Sequence, residues 1–196
     1  MNKKDEMKKA AGKQAADLIK SGMLVGLGTG STAAFFIDAL IERVKEGLQI
    51  EAVATSKASE ERARAGGIPI ANIQEITEIS LTVDGADEID PEKRMIKGGG
   101  GALLREKIIA KMSLEMVVIV DEAKQVSQLG AFGLPVEVVP FALNSSIHQL
   151  KELGFQGTLR QNKQGNLYVT DNGNHIFDVF YPNLCSSPEE DHQKII

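Results

Sequence analysis

The first two-thirds of the chain alternates short apolar runs with longer stretches in which apolar residues recur at helical spacing. The apolar runs have the length of strands and cover residues 23–27, 51–54, 80–83 and 116–120. Helical spacing extends over residues 32–44, 59–65 and 102–112. Such alternation predicts a parallel sheet flanked by helices, and ligands of such sheets bind where the strands end. We therefore predict an α/β fold with its functional residues at the carboxyl edge of the sheet.

The pattern changes after Leu134-Pro135, where one helical stretch, residues 141–153, lies among several strand-like runs. These runs cover residues 136–139, 158–159, 167–170 and 175–179. Asn172-Gly173 is typical of a tight turn between antiparallel strands. We predict a first domain over residues 1–130 and a second, smaller α+β domain over residues 131–196.

The composition is that of an ordinary globular protein, with 42% hydrophobic residues among 196. Its 22 basic and 27 acidic side chains give a formal charge of −5, which opposes nonspecific binding to nucleic acid or to an anionic membrane. No apolar run approaches the roughly 20 residues that span a bilayer. The one cysteine, Cys185, cannot form an internal disulfide, and no Cys/His spacing resembles a zinc site. We expect a cytoplasmic protein that binds neither nucleic acid nor membrane.

A glycine-rich segment follows the first predicted strand and opens the first strongly amphipathic helix. We call residues 28–32 the first glycine loop; its sequence is Gly28-Thr29-Gly30-Ser31-Thr32. Ser31 stands where a dinucleotide fingerprint has its third glycine, and the next strand ends in Thr55-Ser56 without an acidic residue for a ribose. Hydroxyls and exposed helix amides favour a small phosphate as the ligand. The alternative is a tight turn with no ligand.

Three carboxylates, Asp84, Asp87 and Glu88, follow the apolar strand over residues 80–83 with few basic residues nearby in sequence. Close carboxylates repel, so one of them tends to hold a proton, which suits general acid/base catalysis. A magnesium site is a second interpretation. An acidic loop that caps the next segment is a third, and this motif alone does not separate the three.

Lys97 precedes four consecutive glycines, and we call residues 97–101 the second glycine loop. A glycine run loses much backbone entropy on folding, so it favours a place where backbone closely approaches a ligand over a flexible linker. The helix predicted over residues 102–112 begins at once and carries Glu106 about one turn in. Glu106 is a candidate for the same cleft, or otherwise a solvent-exposed partner of Arg105 or Lys107.

Four motifs in this order and spacing resemble the A type of ribose-5-phosphate isomerase: G-x-G-T-G-S-T, V-D-G-A-D-E-I, K-G-G-G and R-E-K-I. The likeness extends to Asp121–Lys124 and to the segment Val169-Thr170-Asp171-Asn172-Gly173-Asn174. It implies interconversion of D-ribose 5-phosphate and D-ribulose 5-phosphate in the pentose phosphate pathway. It also implies a Rossmann-like domain joined to a smaller α+β domain, and a homodimer or homotetramer. Members of the family commonly continue for a few tens of residues beyond a helix like the one over residues 188–196, so we expect a C-terminal truncation.

Carried over position by position, the resemblance makes Glu106 the proton acceptor. It assigns substrate contacts to Thr29, Gly30, Ser31, Thr32, Asp84, Gly85, Ala86, Asp87, Lys97, Gly98, Gly99, Gly100 and Lys124. A basic residue near the start of the first helix also contacts phosphate in the family, and Lys8 is our candidate.

Aldose–ketose isomerisation is mostly proton transfer, which fits these residue types. We expect Glu106 to move a proton between C2 and C1 through a cis-enediolate while Lys97 stabilises the developing oxyanion. Asp84 or Asp87 would handle hydroxyl protons. Neither a metal nor another cofactor is expected.

Two other classes of function remain open. A sugar-phosphate amino-group enzyme or acyl-transferase on a related α/β scaffold would use a similar phosphate loop with different catalytic groups. A sugar-phosphate sensing module, as found fused to DNA-binding regions in some regulators, would need no Glu106 or Lys97. The discriminating observation is turnover of ribose 5-phosphate compared with glucosamine 6-phosphate.

Overall fold

A computed structural model describes residues 3–195. Its helices are α1 (Lys3–Asp17), α2 (Ser31–Lys45), α3 (Lys57–Ala65), α4 (Leu103–Met112), α5 (Leu143–Glu152) and α6 (Pro188–Ile195). Its strands are β1 (Leu24–Leu27), β2 (Glu51–Ala54), β3 (Leu81–Asp84), β4 (Glu88–Ile89), β5 (Met95–Ile96), β6 (Met116–Val118), β7 (Leu134–Val138), β8 (Gln156–Leu159) and β9 (His175–Phe180). Short 3-10 helices cover Ile73–Glu75 and Glu122–Lys124. The last position of the helix predicted over residues 188–196 lies outside the described residues.

Backbone contacts divide the chain into two compact units that alternate along the sequence. Among the described residues, the first unit comprises residues 3–85 and 104–123, and the second comprises residues 86–103 and 124–195. This division differs from the domains predicted over 1–130 and 131–196, because a hairpin and the second glycine loop, within residues 86–103, group with the C-terminal part. The predicted domain limits stay a prediction.

The first unit is built on a four-stranded sheet in the order β2-β1-β3-β6, and every neighbouring pair is parallel. Val25 on β1 lies opposite Ala52 on β2 and Leu81 on β3. Continuous apolar strands of this kind are buried on both faces, and the core under the helices includes Phe36 and Leu40 of α2. The predicted α/β fold with a parallel sheet flanked by helices is confirmed.

Helix α1 packs closely against α2 at Gly12. A Cβ at Gly12 would collide with the backbone of Phe35 and Phe36, so only glycine permits this approach. Arg43 near the end of α2 donates to the carbonyls of Ala16 and Ile19, which fixes the other end of α1. These contacts hold α1 against the helix that follows the first glycine loop.

The second unit contains a three-stranded antiparallel sheet in the order β7-β9-β8. Its core gathers residues of β7 and β9 with α5: Val136, Val138, Leu150, Phe177 and Val179. The predicted antiparallel α+β character of this part is confirmed.

One predicted strand of this part is wrong. Residues 167–170 form no strand, and Leu167 makes only an isolated bridge with Gln161. The polar groups that follow are satisfied locally, because Thr170 N–H donates to Asn174 O and Glu137 Oε1 accepts from Thr170 Oγ1 and Asn174 Nδ2. A side-chain network replaces the strand ladder at this turn.

A small hairpin, β4–β5, was not predicted, since two-residue strands are too short to show a hydrophobic period. It is closed by Asp90, whose Oδ1 accepts from Arg94 N–H at 2.9 Å and whose Oδ2 accepts from Arg94 Nε at 2.6 Å. Burial alone would raise the pKa of Asp90, but the side-chain hydrogen bond from Arg94, with backbone hydrogen bonds and its charge, lowers that pKa overall. The hairpin delivers the chain directly into Lys97.

Between residues 3 and 195, no helix is both long and apolar enough to cross a membrane. Within the same range, no three or more His, Cys, Asp or Glu side chains are grouped so that they could hold a metal ion.

Candidate active site

The first glycine loop is held by the carboxyl ends of the two strands beside β1. Gly28 N–H donates to Val83 O at 2.9 Å, and a Cβ at Gly28 would collide with the backbone and carboxylate of Asp84. Thr29 N–H donates to Asp84 Oδ1 at 3.0 Å. The hydroxyl of Thr29 bonds to those of Thr55 and Ser56 at the end of β2. Glycine at position 28 therefore allows the loop to lie directly on Asp84.

The start of α2 is arranged to receive an anion. Gly30 has a φ of 102°, which favours glycine, and no side chain caps the first turn of this helix. The first backbone amides of a helix lack partners within the helix and carry partial positive charge. Lys8 Nζ donates to Ser31 Oγ at 2.7 Å, so α1 brings an ammonium group to the same place. Thr32 follows in the first turn and is half-buried.

Asp84 ends β3 and is 1% exposed. Its Oδ1 accepts from both Thr29 N–H and Gly85 N–H, at 3.0 and 2.7 Å. Two backbone donors on one oxygen fix the orientation of the carboxylate. The structure therefore unites Lys8, the first glycine loop and Asp84 within the first unit.

Glu106 lies in the first turn of α4 and is 5% exposed. The C-terminal end of α4 is anchored at the beginning of β3, because Ile79 N–H donates to Met112 O at 2.8 Å. Ile109, one turn after Glu106, packs on the sheet against Val53 and Ile79. A helix that connects parallel strands runs antiparallel to them, so its first turn lies towards the edge where the strands end. Glu106 is thus a buried carboxylate towards the edge that carries Asp84.

The second unit holds the remaining predicted residues. Asp87 N–H donates to Ile96 O at 2.8 Å, and Asp87 Oδ2 accepts from Gly99 N–H at 2.7 Å. Lys97, directly after β5, is half-buried, as is Ala86, whereas Gly99 and Gly100 are exposed. The structure therefore brings Asp87 together with the second glycine loop.

Lys124 and Glu88 have different surroundings within this unit. Lys124 ends a 3-10 helix, and its Nζ lies 5.6 Å from the centroid of the Phe132 ring, which is exposed. Glu88 is buried and accepts from the backbone N–H groups of Gly130 and Phe132, both at 2.7 Å. Glu88 thus anchors a backbone segment that is distant along the chain, and not the next segment as the acidic-loop interpretation expected.

Sequence reasoning missed Arg160 and Tyr168, which contact the second glycine loop. Arg160 Nη1 donates to the carbonyls of Gly98 and Gly99 at 3.0 and 3.1 Å. The hydroxyl of Tyr168 lies 3.5 Å from Gly100 O, which is the longest distance for a hydrogen bond. Neither residue stands in a recognisable motif, so no signal in the sequence identified them.

The chain matches the family model described as ribose 5-phosphate isomerase A (phosphoriboisomerase A) over residues 51–196. Ribose-5-phosphate isomerase A of Protochlamydia amoebophila is 50% identical over 188 residues, which are 96% of this chain and 81% of that protein. The crystal structure of ribose 5-phosphate isomerase A from Neisseria gonorrhoeae superimposes with a TM-score of 0.88 at 41% identity, covering 100% of this chain and 85% of that one. A structure of D-ribose-5-phosphate isomerase in complex with phospho-erythronic acid gives a TM-score of 0.89 at 40% identity, covering 97% and 84%. With its four motifs retained and this likeness along nearly its whole length, the chain belongs to the ribose 5-phosphate isomerase A family.

Proposed function

We propose that this protein interconverts D-ribose 5-phosphate and D-ribulose 5-phosphate. The observation that carries the proposal is the first glycine loop, where Lys8 and Ser31 meet at the uncapped start of α2 while a buried Glu106 lies towards the same edge of the sheet. The related isomerase structure holds phospho-erythronic acid, which combines a phosphate with a planar carboxylate at the other end. That carboxylate has the shape and charge of an enediolate.

The phosphate of the substrate binds at the first glycine loop. Amides at the start of α2, the Ser31 hydroxyl and the Lys8 ammonium all donate hydrogen bonds, and phosphate accepts several at once. The Thr29 hydroxyl already bonds to the hydroxyls of Thr55 and Ser56. Thr29 therefore contributes to phosphate binding through the position of its backbone. The phosphate keeps its charge during the reaction, so this loop contributes binding energy equally before and during turnover.

Glu106 carries the proton between carbons. It removes the proton from C2 of the open-chain aldose, the electron pair forms the C1–C2 double bond, and the carbonyl oxygen at C1 becomes an oxyanion that takes up a proton. Glu106 then returns its proton to C1 as the C2 oxygen becomes the ketone. Lys97 stabilises the oxyanion, and Asp84 or Asp87 takes the proton of the C2 hydroxyl and supplies the proton that O1 takes up.

This reaction is balanced without an added oxidant or reductant, because C1 is reduced as C2 is oxidised within one molecule. The proton transfers therefore need no nucleotide or redox cofactor.

We further propose that several other residues contact the sugar, as the family resemblance implies: Gly85, Ala86, Gly98, Gly99, Gly100 and Lys124. We also propose that the protein assembles as a homodimer or homotetramer and acts in the cytoplasm. Light scattering of the purified protein tests the assembly.

The decisive experiment mixes the purified protein with ribose 5-phosphate in EDTA and in D₂O. We expect ribulose 5-phosphate to form, with solvent deuterium incorporated at C1 because Glu106 exchanges its proton with water between the two transfers. Turnover of glucosamine 6-phosphate but not ribose 5-phosphate would replace this proposal with an amino-sugar enzyme. Activity that EDTA abolishes and magnesium restores would place a metal in the mechanism.

A further inference from the structure

Arg160 uses its whole guanidinium group inside the second unit. Nε and Nη2 form a bidentate pair with Asp178, donating to Oδ2 at 2.8 Å and to Oδ1 at 2.5 Å. The side chain of Arg160 is only 15% exposed. Asp178 lies on β9 and pairs with Thr158 of β8, so the ion pair is fixed to the antiparallel sheet. Since a guanidinium is planar and rigid, this pair also fixes where Nη1 points.

Nη1 points at the second glycine loop and donates to the carbonyls of Gly98 and Gly99. In a trans peptide the C=O and the following N–H point in opposite directions. Two carbonyls turned towards Arg160 therefore turn the N–H groups of Gly99 and Gly100 away from it. The first of these donates to Asp87 Oδ2 at 2.7 Å, on the side that this geometry requires.

Tyr168 packs against the end of the same loop. Its ring centroid lies 5.8 Å from Cζ of Arg160, and a Cβ at Gly101 would collide with the ring and hydroxyl. Gly98 and Gly101 have φ values of 106° and 80°, which favour glycine. A loop made almost wholly of glycine is thus ordered by groups outside it.

We propose that Arg160 is a positioning residue for turnover, which orients the second glycine loop so that Lys97 at its start meets the developing oxyanion; this inference rests on the proposed function. A glycine run has much conformational freedom to lose, and ordering it before the substrate binds removes that loss from the reaction. Arg160 acts through the loop carbonyls. Its replacement therefore affects the transition state more than the binding of ground-state substrate.

The test compares Arg160→Lys with Arg62→Lys. Arg62 makes the same bidentate pair with Asp38 on the surface of the first unit, so its replacement controls for loss of an Arg–Asp pair. We expect R160K to lower kcat between about 10-fold and 100-fold with KM within about threefold of the parent value. We also expect faster hydrogen exchange at the amides of residues 98–101, whereas R62K changes none of these quantities.

Asp178→Asn provides a second variant that keeps Arg160 but weakens its anchor, and we expect a smaller fall in kcat in the same direction. A kcat unchanged in R160K while wild-type protein is active overturns the inference alone. A loss of activity in R160K that is matched by an equal loss of folded protein also overturns the inference. Wild-type protein that does not isomerise ribose 5-phosphate overturns the proposed function and this inference with it, whereas the exchange measurement still reports whether Arg160 orders the loop.

Discussion

The two glycine loops are stabilised in different ways. The first is held by the carboxyl ends of adjacent parallel strands, through Val83, Asp84 and the hydroxyls after β2. The second is held by Asp87 on one side and by Arg160 and Tyr168 on the other. The first loop passes directly into a helix whose amides, in our proposal, bind the phosphate, a charge that is already present. The second loop begins with Lys97, whose ammonium we propose stabilises a charge that appears only during the reaction.

This difference implies different contributions to catalysis. Contacts with a phosphate that never changes charge contribute to substrate affinity, whereas contacts with a developing oxyanion contribute to kcat. Variants of the first loop should therefore change KM, and variants of the second should change kcat. Asp84 accepts an amide hydrogen bond from the first loop, and Asp87 accepts one from the second.

Replacement of Glu106 should produce the largest effect, because it removes the proposed base. In Glu106→Gln the amide keeps the shape of the side chain but cannot take a proton from carbon. We expect kcat to fall by about 10²–10⁴-fold while calorimetric binding of substrate stays nearly the same.

Glu115→Gln is the matched control, since Glu115 is exposed just before β6 and should tolerate the change. A kcat for E106Q within tenfold of the parent value corresponds to less than about 1.4 kcal/mol of barrier. That result would assign the base elsewhere.

Lys97→Ala tests whether the second loop acts on the transition state. We expect kcat to fall about 10²-fold, with a much smaller change in KM, because the proposed role of the ammonium is to stabilise a charge absent from the bound substrate. Lys107→Ala removes an exposed lysine of α4 and should leave both constants unchanged. A rise in KM alone would make the second loop a binding element like the first.

The alternation of apolar runs was sufficient to predict the parallel sheet. The predicted strand over residues 51–54 matches β2, and the helix over 32–44 lies within α2 (Ser31–Lys45). The pattern failed where polar side chains replace the ladder, as at Glu137 beside residues 167–170. It also failed for β4–β5, where each strand contributes one residue per face and therefore no period.

In the candidate site, too, only some residues could be predicted from the sequence. The separation of contacting residues along the chain does not explain which ones. Thr29 and Asp84 are 55 positions apart, and Gly99 and Arg160 are 61 apart. Asp84 could be identified because it ends an apolar strand, and parallel strands end at one edge. Arg160 follows a short strand whose antiparallel register decides which way its side chain points, and that register is not written in the local pattern.

Lys8→Ala tests the first loop, and the expected effect is smaller. Loss of one charge-assisted hydrogen bond should raise KM about tenfold with little change in kcat. Inhibition by inorganic phosphate should weaken by a similar factor. Lys9→Ala is the control, because its exposed side chain adjoins Lys8 on α1 but faces another direction. Equal effects of both variants would mean that general positive charge, and not the Lys8 contact with Ser31, binds the phosphate.

The smallest expected effect concerns the β4–β5 hairpin, which leads into the second loop. Within residues 3–195, no such hairpin leads into the first loop. Because Arg94 lowers the pKa of Asp90 in the folded state, ionised Asp90 stabilises the fold at pH values above its unfolded pKa of about 3.9. This stabilisation is lost as the pH falls through the folded-state pKa. Urea midpoints for Asp90→Asn should therefore lie below those of the parent at pH 7, and the gap should close as the pH falls below about 3.9. Asp38→Asn, at an exposed ion pair, should show a much smaller gap. A gap for D90N that stays constant with pH would mean that side-chain shape, and not the charge of Asp90, closes the hairpin beneath Lys97.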